Sequence, residues 1–253
     1  MVRLKNEEEI ARLRVSGARL AEVLRLVSAK AVPGAVTSDL DEYAEKLIRD
    51  FGDKPAFKGY RPAGSDLAYP ATLCVSINDE IVHGIPSKRI LKDGDIVSLD
   101  CGINHEGMFS DAAITVLVGK KSLANISLLA VVKKALDRGI MAARAGKRLG
   151  DIGSAISGVI RGAGFQIVQE LSGHGVGFAP HEDPYVPNFG EPGHGLELEP
   201  GLVLAIEPMA TTGNGKIKLE RDGFCFTTAD GKPSAHFEHT VLITEKGAEV
   251  LTK

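Results

Sequence analysis

Residues 95–119, DIVSLDCGINHEGMFSDAAITVLVG, contain two strand-like arms with one acidic residue in each arm. In the first arm, polar and apolar residues alternate up to Asp100, and the second arm runs from Ser110 to Val118 and includes Asp111. The NHEG sequence between the arms is rich in turn-forming residues. Period-two alternation on both sides of a turn predicts an antiparallel β-hairpin. Two neighbouring strands would therefore each carry one carboxylate.

A second acidic pair repeats this arrangement later in the chain. The stretch EPGLVLAIE ends at Glu207, six residues after Gly201, just as Asp100 lies six residues after Gly94. A further apolar segment, FEHTVLITEKG, then carries Glu238. Helix-like sequence precedes both acidic segments. We interpret residues 1–253 as a single domain of two pseudo-symmetric α+β halves, with chance similarity between two hairpins as the alternative.

Apolar residues at helical spacing predict four helices. The second helix is expected to be capped by Thr37 or Ser38 and to end at Gly52. A short strand is predicted over TLCVSIN, and the chain from Phe165 onward is strand-rich. The other predicted helices cover residues 7–30, 122–145 and 151–162.

Four carboxylates at strand positions require partners. Apolar residues surround Asp100 and Glu207, and Glu238 heads the apolar EHTVLIT. A buried carboxylate is costly unless it is paired or binds a metal, and no lysine or arginine lies within these strand cores. Divalent cations accept such oxygen ligands, and His174 in SGHGVGFAPHEDP offers an imidazole to the same site. The five residues suffice for two metal ions, whereas scattered hydrogen-bonded core acids are the alternative.

The bulk composition excludes several protein classes. A net charge of −3 over 253 residues gives no sign of a surface for nucleic acids. Three cysteines without a CxxC pattern argue against a disulfide framework or a structural zinc site. The charged N-terminal sequence lacks the apolar segment of a signal peptide, and no apolar stretch is long enough to span a membrane. We therefore expect a cytoplasmic protein.

Five sequence blocks resemble those of type I methionine aminopeptidases, in the same order: NDEIVHGIP, DIVSLDCG with FSDAA, GHGVG with HEDP, IEPM, and SAHFEHT. They span nearly the whole chain. The resemblance implies the pita-bread fold, an α+β fold in which helices cover a curved antiparallel sheet, here as a single catalytic domain. It also implies removal of the initiator methionine from nascent chains whose second residue is small. Two divalent ions (cobalt, manganese, iron or zinc) would be held by Asp100, Asp111, His174, Glu207 and Glu238, with Asp111 and Glu238 bridging.

The resemblance also implies roles in catalysis and substrate binding. His83 would lie near the scissile amide and assist proton transfer, His181 would contact the substrate carbonyl, and Glu207 would move a proton as well as bind metal. The glycines around His174 are expected to let the backbone pass close to the metals. The apolar lining of the methionine pocket is expected to consist of Phe57, Tyr69, Cys74 and Phe224.

The chain also departs from the family pattern. The segment between Tyr60 and Tyr69 is longer than in many bacterial members, which puts the shape of the pocket in question. Phe178 replaces a polar or basic residue that follows GHGxG in many relatives. His236, where many relatives carry glutamine, shares a strand face with Glu238 and is expected near the site.

Two other functions fit the sequence less well. A proline-specific dipeptidase of the same fold commonly carries an additional N-terminal domain, and a non-catalytic pita-bread binding module has usually lost metal ligands. The expected partners are nascent peptides, with the ribosome as a further candidate. No DNA or membrane partner is expected, and the chain is expected to be a monomer.

Overall fold

The computed structural model of the protein describes residues 2–61 and 66–253. Within those residues the chain forms four α-helices and fifteen β-strands. The helices are α1 (Glu7–Ser28), α2 (Thr37–Asp50), α3 (Leu123–Ala142) and α4 (Leu149–Gly162). The strands are β1 (Lys54–Pro55), β2 (Leu73–Ile77), β3 (Glu80–Val82), β4 (Ile96–His105), β5 (Met108–Leu117), β6 (Gln166–Ile167), β7 (Ser172–Gly175), β8 (Glu182–Pro187), β9 (Val203–Ile206), β10 (Met209–Thr211), β11 (Ile217–Leu219), β12 (Phe226–Thr228), β13 (Ser234–His236), β14 (His239–Thr244) and β15 (Gly247–Val250).

The predicted hairpin consists of β4 and β5, which pair antiparallel along their full lengths. Its turn lies at Glu106 and Gly107, whose φ angles are 49° and 83°. Positive φ at both turn residues matches the twist of the flanking strands. The predicted NHEG turn is therefore too long, because Asn104 and His105 still belong to β4. The Asn104 side-chain oxygen closes the turn by accepting a hydrogen bond from the Gly107 N–H at 2.9 Å.

Two sheets meet where the acidic strands lie side by side. β4 pairs with β5 on one edge and with β2 and β1 along the other. The second sheet has the order β15-β14-β9-β7-β8. The Glu238 N–H donates to the Ala113 carbonyl of β5 at 2.9 Å, which joins the two sheets just before β14 begins. The first acidic hairpin is thereby placed next to the second acidic pair. The pseudo-twofold repeat stays a prediction.

The helices cover the side of β4 that faces away from the acidic residues. Val97, Leu99 and Cys101 of β4 are fully buried in an apolar core with residues of α1 and α2. Because side chains alternate along a strand, Asp100 points to the opposite face. Helices α3 and α4 contribute to the main apolar core together with Leu204 and other residues of the second sheet. This layering leaves Asp100 on the face of β4 that is not covered by α1 and α2.

The helices agree closely with the periodicity, and one predicted cap is wrong. α1 begins with a capping box, in which the Asn6 side chain accepts from the Glu9 N–H and the Glu9 carboxylate accepts from the Asn6 N–H. Val36, rather than Thr37 or Ser38, is the N-cap of α2. The Thr37 hydroxyl instead donates to the Ser87 carbonyl at 2.9 Å, so it ties the helix to a distant loop.

Backbone hydrogen bonds join the two ends of the segment between Tyr60 and Tyr69. The Tyr69 N–H donates to the Tyr60 carbonyl at 2.9 Å, and the Gly59 N–H donates to the Tyr69 carbonyl at 2.8 Å. Residues 62–65, on which the expected change of pocket shape depends, lie outside the described residues. Among the helices of residues 2–61 and 66–253, none is long and apolar enough to cross a membrane.

Candidate metal centre and substrate pocket

The five predicted ligands converge from five places in the two sheets. Ligand atoms of His174, Glu207 and Glu238 lie within 4.8 Å of one another, and so do those of Asp100, Asp111 and Glu238. The His174 Nε2 atom lies 3.4 Å from a Glu207 oxygen and 3.9 Å from an Asp111 oxygen. Glu238 belongs to both groups and thus lies between them. This arrangement offers two adjacent positions for cations.

The carboxylates of this cluster are buried and poorly satisfied. Asp100, Asp111 and Glu238 are at most 6% exposed. Each has one carboxylate oxygen that lacks any hydrogen-bond partner within the described part of the chain. No lysine or arginine of the described residues forms an ion pair with these carboxylates or with Glu207. Orphaned buried oxygens of this kind fit divalent cations, which would supply the missing positive charge.

Burial raises the pKa of every carboxyl group in the cluster, and repulsion between carboxylates adds to the rise for Asp100, Asp111 and Glu238. Burial is the main cause of a rise to about 7 in the pKa of Asp100 and of Glu207. The pKa of Asp111 rises well above its usual value through burial and then through the neighbouring Asp100. Burial and then Asp111 raise the pKa of Glu238 in the same way. Without a cation, the cluster therefore retains protons near neutral pH.

His174 is held in the form that a metal requires. Burial lowers the pKa of its imidazole to about 4, so the ring is neutral near neutral pH. Its Nδ1 lies 2.9 Å from the Gly175 carbonyl, which can only accept a hydrogen bond. The proton is therefore assigned to Nδ1, and the Nε2 lone pair faces Glu207 and Asp111.

We expect stabilisation of the protein by a divalent cation to grow as the pH rises from about 5 to about 8. The raised pKa values of Asp100 and Glu207 mean that the cation-free native state binds more protons than the unfolded state between the ordinary carboxyl range and about 7. The bound protons stabilise the cation-free native state at low pH, and this stabilisation is lost as the pH rises through that window. A cation must displace the same protons to bind, so it stabilises the protein less at low pH.

The test is the melting temperature with and without Mn²⁺ across this pH range. Buried His83 and His174 have pKa values lowered to about 4, so both rings are neutral in the native state over this pH range with or without the cation. The difference between the two melts is therefore the informative quantity. A difference that stays constant or grows toward acidic pH contradicts competition between cation and protons.

The glycines around His174 lie too close to neighbouring backbone to carry side chains. A Cβ atom on Gly173 would lie 2.3 Å from the Ala205 carbonyl oxygen, and one on Gly175 would lie 2.1 Å from the Asp183 carbonyl oxygen. These two glycines therefore allow β7 to lie close to neighbouring protein backbone. The expected approach of the backbone to the metals stays a prediction.

The predicted substrate residues line the same cavity as the metal cluster. Phe57, Tyr69 and Cys74 are buried there, and the rings of Tyr69 and Phe224 meet edge to face with centroids 5.4 Å apart. His83, with a φ of 61°, lines the cavity as well. A cluster of apolar side chains and the carboxylates thus line one cavity, which gives a pocket for an apolar side chain beside an acidic centre.

His181 and two residues not predicted from sequence also line the cavity. The His181 ring lies 4.3 Å from the His174 ring and 5.2 Å from the Tyr60 ring, measured between centroids. Tyr60 and Val82 line the cavity too. Their positions carried no sequence signal beyond their proximity to Phe57 and His83.

His236 lies inside the cluster, as its strand face predicts. Its Nε2 atom is 3.4 Å from a Glu207 oxygen and 3.9 Å from a Glu238 oxygen, and its ring is 1% exposed. His239 faces the other way, and its Nδ1 lies 2.9 Å from the Thr252 hydroxyl. The last residue of β13 thus belongs to the site, whereas the first residue of β14 has a structural contact.

We expect Tyr69→Phe to keep kcat within about twofold and to cost about 1 kcal/mol of stability. The Tyr69 hydroxyl lies 3.0 Å from the Gly84 carbonyl and 3.2 Å from the Leu73 carbonyl. Its hydrogen bond is therefore made to backbone oxygens. The ring, rather than the hydroxyl, then forms the pocket wall. Denaturant unfolding and steady-state kinetics measure the two effects, and a large loss of kcat at unchanged stability contradicts this assignment.

Comparison with known proteins identifies the family. The sequence profile of metallopeptidase family M24 matches residues 11–245. The chain belongs to metallopeptidase family M24. It is 45% identical over 252 residues to the methionine aminopeptidase of Clostridium perfringens, covering 100% of this chain and 99% of that protein. The crystal structure of methionine aminopeptidase from Thermotoga maritima is similar over 100% of both chains, with a TM-score of 0.96 and 41% identity.

These findings confirm the predicted resemblance to methionine aminopeptidases and the α+β pita-bread fold. An Xaa-Pro dipeptidase from Bacillus anthracis has the same fold, with a TM-score of 0.78, but only 22% identity. The present chain covers 62% of that protein. The dipeptidase alternative is not favoured, because its similarity is limited to the fold.

Proposed function

We propose that this chain is a metal-dependent aminopeptidase that removes the N-terminal methionine from peptides with a small second residue. The observation that carries the proposal is the shared cavity, in which orphaned carboxylate oxygens face an apolar wall. Full-length similarity to methionine aminopeptidases supports the same assignment. Peptides are thus the substrates, while the ribosome as a partner and a monomeric state stay predictions.

Two divalent ions would be held by the five clustered residues. Glu238 belongs to both groups of clustered ligand atoms and Asp111 lies 3.9 Å from His174, which supports the shared-ligand role that the family resemblance implies for these two carboxylates. The native ion is not determined by such a ligand set, which accepts cobalt, manganese, iron or zinc. When bound, the ions supply positive charge that acidifies a water molecule and polarises the scissile carbonyl.

The apolar wall selects the first residue of the substrate. Phe57, Tyr69, Cys74 and Phe224 would surround a methionine side chain, and the flexible thioether suits an aromatic-lined pocket. The substrate's amino terminus then lies beside the carboxylates. This position favours a free amino group, which explains removal of a single terminal residue.

Glu207 would transfer a proton, and His83 and His181 would orient the substrate. The Glu207 carboxylate, beside the proposed cation positions, can take a proton from the attacking water and return it to the leaving amine. His181, at the mouth, would donate a hydrogen bond to the scissile carbonyl oxygen as charge develops there. Burial lowers the pKa of His83 to about 4, so this ring would act as a neutral partner of the substrate amide.

A peptide panel tests the proposal. Met-Ala-Ser, Met-Lys-Ser, acetylated Met-Ala-Ser and Ala-Pro are incubated with enzyme loaded with Co²⁺, Mn²⁺, Fe²⁺ or Zn²⁺. We expect cleavage of Met-Ala-Ser only, because the pocket fits methionine and the centre requires a free amine. Hydrolysis of Ala-Pro alone would favour a proline-specific dipeptidase. No hydrolysis with metal content verified would favour a non-catalytic binding module.

A further inference from the structure

The N-terminal segment Val2–Asn6 lies against the loop that carries His181. The Lys5 N–H donates to the Gly201 carbonyl at 2.8 Å, which fixes the segment beside the start of β9. The Lys5 side chain is only 1% exposed and forms an ion pair with Glu182, the residue that follows His181. A lysine this deeply buried is rare unless its charge is paired. A contact between residues 177 positions apart therefore supports one end of the substrate site.

Glu182 connects this lysine to the rest of the loop. One of its carboxylate oxygens interacts with Lys5, and the other accepts a hydrogen bond from the Phe178 N–H at 3.3 Å. The carboxylate thus joins the two ends of residues 178–182. His181 lies within this closed turn, so its position depends on where Glu182 is held.

Phe178 provides a second contact between the N-terminal segment and the loop that carries His181. The Arg3 guanidinium lies 3.7 Å from the centre of the Phe178 ring, and the Lys5 ammonium lies 4.8 Å from it. Cations over an aromatic face are attracted by its electron-rich surface. Phe178 therefore adds a cation–aromatic contact to the ion pair between Lys5 and Glu182.

Gly177 leaves room for the lysine. Its φ is 137°, and a Cβ atom at this position would lie 2.5 Å from the Lys5 Cε atom. The third glycine of GHGVG therefore leaves space for the Lys5 side chain of the N-terminal segment. The Gly177 carbonyl also accepts from the Phe109 N–H at 2.8 Å, which anchors the loop to β5.

We propose that Lys5 is a positioning residue, which holds Glu182 and through it the 177–182 loop so that His181 stays at the mouth of the pocket. This inference rests on the proposed function of His181. Lys5 contacts none of the five clustered metal-ligating residues. It would therefore affect turnover without affecting the affinity for metal, which separates it from a residue that supports the metal centre.

The experiment compares Lys5→Met with Arg14→Met. Lys5→Met keeps an aliphatic stem and removes the ion pair with Glu182. Arg14→Met is the control: it removes an exposed ion pair between Arg14, on the helix α1 that follows the N-terminal segment, and Glu249. Three quantities are measured: hydrogen exchange of the amides in residues 176–183, calorimetric Mn²⁺ affinity, and kcat and KM for Met-Ala-Ser at saturating Mn²⁺.

For Lys5→Met we expect faster exchange of the Phe178 amide and a fall in kcat of about tenfold to a hundredfold, the range produced by a small misplacement of a catalytic group. The Mn²⁺ affinity should be unchanged, and Arg14→Met should resemble the wild type in every measurement. Glu182→Gln should reproduce the loss, and the double variant should lose no more than the single variants, because both act through one contact.

Unchanged exchange of residues 176–183 in Lys5→Met, or a loss of Mn²⁺ affinity that parallels the loss of kcat, overturns the inference. If Lys5→Met does not fold, Glu182→Gln and Arg3→Ala decide by the same measurements. Wild-type enzyme that fails to cleave Met-Ala-Ser refutes the proposed function instead. The exchange comparison needs no turnover and still decides whether Lys5 holds the loop.

Discussion

Replacing Glu207 by glutamine is expected to lower kcat by at least about a hundredfold under saturating metal, with the fold retained. The amide has nearly the same shape as the carboxylate, so packing around this 7%-exposed side chain changes little. Its charge and its ability to accept a proton are lost. Since a general base contributes roughly 10²–10⁴-fold to a rate, loss of a proton acceptor at this position is enough for the expected fall.

His236→Gln is the matched comparison within the same cavity. The His236 Nε2 atom lies 3.4 Å from Glu207, and a glutamine amide can still donate toward that carboxylate. Because His236 is not a proposed ligand or proton carrier, its substitution should cost far less than that of Glu207. Steady-state kinetics with verified metal content measures both effects. Near wild-type turnover by Glu207→Gln would show that Glu207 is not the catalytic base.

Removing the cations is expected to lower the melting temperature of the native protein substantially. At a free cation concentration about 1,000 times Kd, binding adds about 4 kcal/mol to stability. In a chain of this size, that change corresponds to a rise of roughly 8–16 °C in Tm. The physical source is the set of unpartnered oxygens on Asp100, Asp111 and Glu238, which a cation satisfies.

Thermal melts with chelator, and again after return of Mn²⁺, measure this effect. Asp111→Asn should lose most of the response, because Asp111 is a proposed bridging ligand. Glu249→Gln, which alters an exposed ion pair with Arg14, should keep the full response. Identical melting temperatures, with metal removal confirmed by elemental analysis, would count against a metal centre at this position.

The sequence by itself determined the local structure and the acidic faces of the strands. Alternation in residues 95–119 predicted the hairpin, and it placed Asp100 on the face opposite Leu99. Helical periodicity located α1 and α4 to within about two residues, the usual uncertainty of helix ends. These features depend on neighbours in sequence, whose geometry is set by the repeat of a strand or a helix. The ordered motif blocks also sufficed to recognise the family.

Only the tertiary structure decided how residues distant in sequence meet. It brings His174 within 3.4 Å of Glu207 and places His236 against the same carboxylate. It assigns Thr37 to a loop contact instead of a cap, and it pairs Lys5 with Glu182. Such contacts depend on how the sheets close and on which backbone segments approach one another. No local pattern encodes that closure, because the cost or benefit of a buried charge is fixed by partners that only the folded chain supplies.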